Sequence, residues 1–125
     1  MDKNEKAIYY ERKLIAYEQM LNTYWGIVSQ IMEGSMTSLE YFQALKGTLP
    51  GFLYCNAEVN KKKEALEPCF LELARAKNSK NSENSTSYTK VYNKLNKAFN
   101  DLIMAMREDV EGVKNDSGIS ETTDR

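Results

Sequence analysis

The first third of the chain carries an apolar repeat that restricts the kind of fold it can adopt. Its members follow one another in steps of three and four residues: Ala7, Tyr10, Leu14, Tyr17, Leu21, Tyr24, Val28 and Ile31. Such spacing places them all along one side of an α-helix, and the average period of about 3.5 residues is that of a coiled-coil heptad. The repeat predicts one long helix over about residues 4–33, with a left-handed cap at Gly34.

The residues that flank this repeat differ between its two halves. With Ala7 at heptad position a, the e and g positions of the first half are Lys6, Glu11, Lys13 and Glu18. The same positions of the second half are Met20, Trp25, Ile27 and Met32. Charged flanks suit a narrow seam with one neighbour, whereas apolar flanks need two or more neighbours. We therefore expect a coiled-coil-like N-terminal arm that leads into the interior of a bundle.

Three further helices are expected in the same domain. A short helix is predicted over 38–46, because Thr37 and Glu40 form a capping-box pattern. A long helix is predicted over about 50–77, with a kink near Pro68, where proline removes a backbone hydrogen bond. A broad apolar stripe predicts the last helix over about 88–114. Residues 78–87 contain no apolar side chain and predict a flexible loop, and residues 115–125 predict a disordered tail.

Together these segments define the expected fold class. No alternating apolar pattern of strand length competes with the helices, and 125 residues suit one domain. We predict an all-α, antiparallel helical bundle of three long helices and one short helix, forming a single domain over residues 1–114.

The composition argues against most kinds of catalysis. The chain has no histidine, so a Ser-His-Asp triad and the Glu-x-x-His pattern of di-iron bundles are both excluded. Neither a glycine-rich phosphate loop nor the spacing of an EF-hand occurs. Carboxylate pairs such as Glu64 and Glu67 are typical of a solvated helix face. We expect a protein that is not an enzyme and that binds no metal and no cofactor.

Charge and hydropathy predict a cytoplasmic protein. The 17 basic and 18 acidic residues leave a formal net charge of −1, which gives little bulk attraction to nucleic acid or to an anionic membrane. No apolar run approaches the length of a membrane span, and the N-terminal stretch is too charged for a secretory signal.

Cys55 and Cys69 would lie about 21 Å apart on one continuous helix. We therefore expect two small buried side chains rather than a disulfide.

Aromatic residues supply the candidate binding face. Tyrosines occupy three successive d positions of the first helix, and tyrosine favours boundaries and interfaces, where its ring packs and its hydroxyl finds a polar partner. Two interpretations remain open: the rings cover the protein's own core, or they dock on another molecule. The candidate partner-binding residues are Tyr9, Tyr10, Tyr17, Trp25, Tyr88 and Tyr92.

The sequence thus favours a non-enzymatic protein-protein interaction module, such as an adaptor, a complex subunit or an inhibitor. Its partner would be another protein, a second copy of itself, or both. The lysine and asparagine bias fits an AT-rich genome, and small chains without catalytic residues from such genomes often come from phages or mobile elements, which suggests by association a regulator of a host protein. The alternative is a nucleic-acid-associated regulator, because Lys90, Lys94 and Lys97 share one helix face that could contact phosphates.

Overall fold

The computed structural model describes residues 2–34, 38–46, 49–77 and 86–116. Within these ranges the chain contains helices and turns and no strand, which confirms the predicted all-α bundle. The helices are α1 (Lys3–Glu33), α2 (Ser38–Leu45), α3 (Leu49–Phe52), α4 (Ala57–Lys77) and α5 (Thr86–Asp116). The helices α4 and α5 form the most closely packed pair, and α1 contacts all four other helices.

The three long helices do not simply alternate in direction. Tyr17 contacts the turn that precedes α4, and Tyr24 contacts Phe70 further along α4, so α1 and α4 run the same way. The helix α5 runs opposite to both, because its first turns reach Met32 and its last turns reach Lys13. The short helices α2 and α3 make this arrangement possible by carrying the chain back between α1 and α4.

Both ends of α1 are capped by residues suited to the task. The side chain of Asp2 accepts a hydrogen bond from the backbone N–H of Glu5 at 2.8 Å, which is an N-cap contact. Gly34 adopts a left-handed conformation with φ of 74°, and its N–H bonds back to the carbonyls of Gln30 and Ile31. The predicted cap at Gly34 is thereby confirmed, and the Asp2 cap places the start of the helix at Lys3.

The single helix predicted over 50–77 is wrong, because the chain turns at residues 53–56 and forms two helices. Gly51 lies so close to α1 that a Cβ atom there would clash with the side chain of Met20. Asn56 then begins α4, since its side-chain oxygen accepts a hydrogen bond from the N–H of Val59 at 2.8 Å. Phe52 and Val59 keep a helical apolar spacing in the sequence, but they therefore lie in different helices on either side of a turn.

Other boundaries differ from the predictions at the ends of the elements. The first two residues of α5, at 86 and 87, fall in the predicted loop, and its last two, at 115 and 116, fall in the predicted tail. The remainder of both segments, 78–85 and 117–125, lies outside the described residues, as does Thr37 of the capping box. The helix α4 continues through Pro68, and the predicted bend there stays a prediction.

The buried face of α1 is rotated away from the predicted seam and toward the g positions. Met20 and Ile27, both at g, are completely or almost completely buried, and Lys13 at g is only 3% exposed. In contrast, Leu14 at position a is 38% exposed and Trp25 at position e is 62% exposed. The rotation follows from the packing of α3 and α4 on the g side, and it leaves the a and e side partly uncovered.

Candidate functional site

A groove with a volume of about 410 Å³ lies between α1 and α5. Apolar side chains from both helices form most of its lining: Leu14, Tyr17, Leu21, Ile103, Met106 and Val110. Charged residues complete the lining, namely Glu18 on α1 and both Arg107 and Glu111 on α5. Its size falls within the range of about 300–1,000 Å³ that is usual for ligand pockets, but its lining is that of an open groove between two helices.

The groove exists because α1 and α5 are joined at its two ends and separated between them. At one end the ring of Trp25 meets Phe99 edge to face, with centroids 6.0 Å apart. At the other end Lys13 Nζ lies 2.5 Å from the carboxylate of Asp109. These two contacts bracket the gap between the apolar walls, and the groove is open in the structure without a bound partner.

Trp25 lies on the surface about one helical turn beyond Leu21, the last α1 residue that lines the groove. It is 62% exposed, and it occupies the same side of α1 as Leu14 and Leu21. A tryptophan has a large apolar ring, and exposing one costs the free energy that its burial would recover. Large aromatic residues in this kind of position are frequent among the residues that dominate binding energies at interfaces.

A buried polar cluster behind the groove was not expected from the sequence. Lys13, predicted as a charged flank of the seam, is buried and paired with Asp109 of α5. The hydroxyl of Tyr17 lies 2.5 Å from the same carboxylate and 3.0 Å from the carbonyl oxygen of Tyr54. Burial, reinforced by the Asp109 carboxylate, raises the pKa of Tyr17, so its hydroxyl stays protonated and donates its one hydrogen to the nearer acceptor, Asp109.

Three charged side chains lie at the rim of the groove. Among the residues that the structure describes, Glu18, Arg107 and Glu111 take part in no ion pair. Other surface charges are paired, for example Lys94 with Glu72. The rim therefore offers both signs of charge around an apolar floor, which is how protein interfaces are commonly organised.

The tyrosines predicted for the N-terminal half of the face lie in three different environments. Tyr9 is half-buried and packs against Tyr54, with ring centroids 5.7 Å apart. Tyr10 is half-buried, and Tyr17 is only 3% exposed. The prediction that Tyr17 presents its ring to a partner does not fit this structure, because its hydroxyl is directed inward to Asp109.

The remaining predicted aromatic residues lie near the other end of α1. Tyr88 and Tyr92 of α5 stack on each other with centroids 6.3 Å apart, and both are half-buried. The hydroxyl of Tyr88 lies 3.1 Å from the sulfur of Met32, which places this pair against the last turns of α1. The six predicted residues therefore do not form one surface, and of the six, Trp25 is the one that is exposed.

The lysine face of the nucleic-acid alternative is partly neutralised. Lys94 pairs with Glu72 at 3.2 Å, and Lys97 pairs with Asp101 at 3.0 Å. Lys90 is exposed on the same helix. Two carboxylates within this short stretch reduce the positive potential that a phosphate backbone would require.

The nucleophilic and metal-binding side chains give no second candidate. Cys69 is buried as predicted and Cys55 is half-buried, both are free thiols, and burial raises the pKa of each. A raised pKa keeps a thiol protonated and unreactive. Over the described ranges no group of three Cys, Asp or Glu side chains could hold a metal ion. Nor is any helix in those ranges both long and apolar enough to cross a membrane.

Comparison with protein-family models, with curated proteins and with solved structures finds no match for this chain.

Proposed function

We propose that this protein is a non-enzymatic protein-protein interaction module whose binding surface is the groove between α1 and α5. The single observation that supports this most strongly is the uncovered a and e side of α1, where Leu14 and Trp25 remain exposed beside an apolar cleft. An adaptor, a complex subunit or an inhibitor would each use such a surface. We further propose that it acts in the cytoplasm, and a phage or mobile-element origin stays a hypothesis.

An amphipathic helix is the partner element that suits this groove. Two roughly parallel walls with an apolar floor accept a third helix that presents residues at i, i+3, i+4 and i+7. The partner's flanking charges would meet Glu18 on one rim and Arg107 on the other. Burial of the lining would supply affinity, and the charges would fix orientation.

A library of displayed helical peptides, selected on the immobilised full chain, tests this proposal. We expect the enriched peptides to share apolar residues at helical spacing and to lose binding to a Leu14→Glu variant. Ile15→Glu is the matched control, because Ile15 is also exposed, at 55%, but does not line the groove.

The comparison between these two variants distinguishes binding at the groove from non-specific hydrophobic association. Retained binding to Ile15→Glu together with at least a tenfold loss to Leu14→Glu would support the proposal. Equal losses in both variants, or no enrichment of helical peptides, would contradict it. Circular dichroism of both variants would verify that each remains as helical as the parent chain.

A further inference from the structure

We infer that the groove is filled by a second copy of this chain, with Trp25 of each copy entering the groove of the other. This inference rests on the proposed function, since it names the partner of the same surface. It predicts a symmetric dimer in which the α1 helices of the two copies cross near Leu21 and run in opposite directions.

The projecting ring and the receiving groove lie on the same face of the molecule. The groove is lined by residues 14–21 of α1, and Trp25 lies beyond it on the same helix, about 11 Å from its middle at 1.5 Å per residue. A two-fold axis in the plane of this face, midway between ring and groove, exchanges them between copies. Both contacts then form at once, as an isologous interface requires.

The size of the face is adequate for a stable dimer. Helices α1 and α5 contain 31 residues each, so each is about 46 Å long. When the α1 helices of two copies cross in opposite directions near Leu21, about 24 residues of each overlap, or roughly 36 Å, and a combined width of about 20 Å gives a footprint of roughly 700 Å² per copy. A standard-size interface buries about 800 Å² per partner.

The charge distribution also permits self-association. The formal net charge is −1, so two copies repel each other weakly. The rim residues carry both signs of charge, since Glu18 and Glu111 are negative and Arg107 is positive. A rim with a single sign would oppose an interface in which the same patch faces itself, whereas a mixed rim does not.

Sedimentation equilibrium of the full chain, combined with the fluorescence of Trp25, tests the inference. Because Trp25 is the only tryptophan, its emission reports this one position. Between about 1 μM and 1 mM, we expect the mass to rise from 14.4 kDa to twice that value. The emission should move to shorter wavelength over the same concentrations, as the exposed ring becomes buried.

Substitutions distinguish this dimer from others. Leu14→Glu and Trp25→Ala should weaken association at least tenfold, and Ile15→Glu should leave it unchanged. Peptides selected on the groove should convert dimers to monomers. A dimer that persists in both Leu14→Glu and Trp25→Ala would overturn the inference. So would a protein that stays monomeric over the whole concentration range. If the protein stays monomeric but binds the selected peptides, and loses that binding in Leu14→Glu, then only the second copy is wrong as the partner. The proposed function would stand.

Discussion

The buried pair of Lys13 and Asp109 shows how one residue can hold two helices in register. A charge removed from water is costly unless it is paired, and breaking such a pair from one side leaves an uncompensated charge. Here the pair joins α1 to the last turns of α5, and Tyr17 adds a hydrogen bond to the same carboxylate. It fixes one end of the groove.

Lys13→Met should therefore destabilise the fold by about 3–5 kcal/mol, because Asp109 would stay buried without its partner. The double variant Lys13→Met/Asp109→Leu should recover most of this loss. Lys97→Met is the control, since its pair with Asp101 is exposed, with side-chain exposures of 80% and 35%, and should contribute less than about 1 kcal/mol. Urea unfolding measures the free energy of unfolding of all three variants. A double variant as unstable as Lys13→Met alone would contradict this explanation.

The hydroxyl of Tyr41 gives a pH-dependent prediction. Burial, together with the nearby Glu67 carboxylate, raises the pKa of Tyr41 from 10.0 to about 12. The unfolded chain therefore loses this proton first, so the stability present below pH 10 declines between about pH 10 and 12. Tyr41→Phe cannot ionise, and its free energy of unfolding should fall less steeply over that range. Parallel pH profiles of the two proteins in urea unfolding would refute this explanation.

At the residue scale, the sequence predicts which chemical groups the protein contains better than it predicts where in the fold those groups lie. The absence of histidine and the balanced charge can be read directly from the composition. The burial of Lys13 could not be predicted, because it depends on Asp109, which lies 96 positions away and meets it only after α5 has packed. Heptad assignment treats a lysine at g as solvated, and a long-range charge partner reverses that expectation.

At the scale of elements, the close approach of α3 to α1 depends on a residue without a side chain. An added Cβ at Gly51 would clash with the sulfur of Met20, which is itself fully buried. The contact sets where α3 docks and so where α4 begins.

Gly51→Ala should cost about 1–3 kcal/mol through overpacking. Gly26→Ala is the matched control, because no atom lies within 4 Å of a Cβ built at that position in α1. That substitution should instead stabilise the helix by about 0.5–1 kcal/mol. Thermal unfolding of both variants distinguishes them, and equal effects would show that α3 does not approach α1 this closely.

The helices themselves followed largely from local signals, and the exception has a physical cause. The long apolar repeat and Gly34 define α1, since both act within one helix. The break at residues 53–56 was missed because Phe52, Cys55 and Val59 keep helical spacing across it. Asn56 before an acidic first turn is an N-cap signal that could have indicated the start of α4.

At the scale of the whole molecule, residues buried in the core differ from the exposed residues of the proposed binding surface. Sequence periodicity placed Leu14 and Trp25 on an apolar face but could not decide which part of that face the other helices would cover. That decision depends on the direction from which α3 and α4 pack, and they pack from the g side. The side left uncovered is the candidate binding surface.

The most direct test is to measure stability and association together in Leu14→Glu and Ile15→Glu. We predict that both variants unfold within about 1 kcal/mol of the parent chain, because both residues are exposed. We also predict that only Leu14→Glu loses association, whether with a selected peptide or with a second copy. If Leu14→Glu unfolds the protein, Leu14 belongs to the fold and not to a free surface; if it associates as well as Ile15→Glu, the groove is not the binding surface.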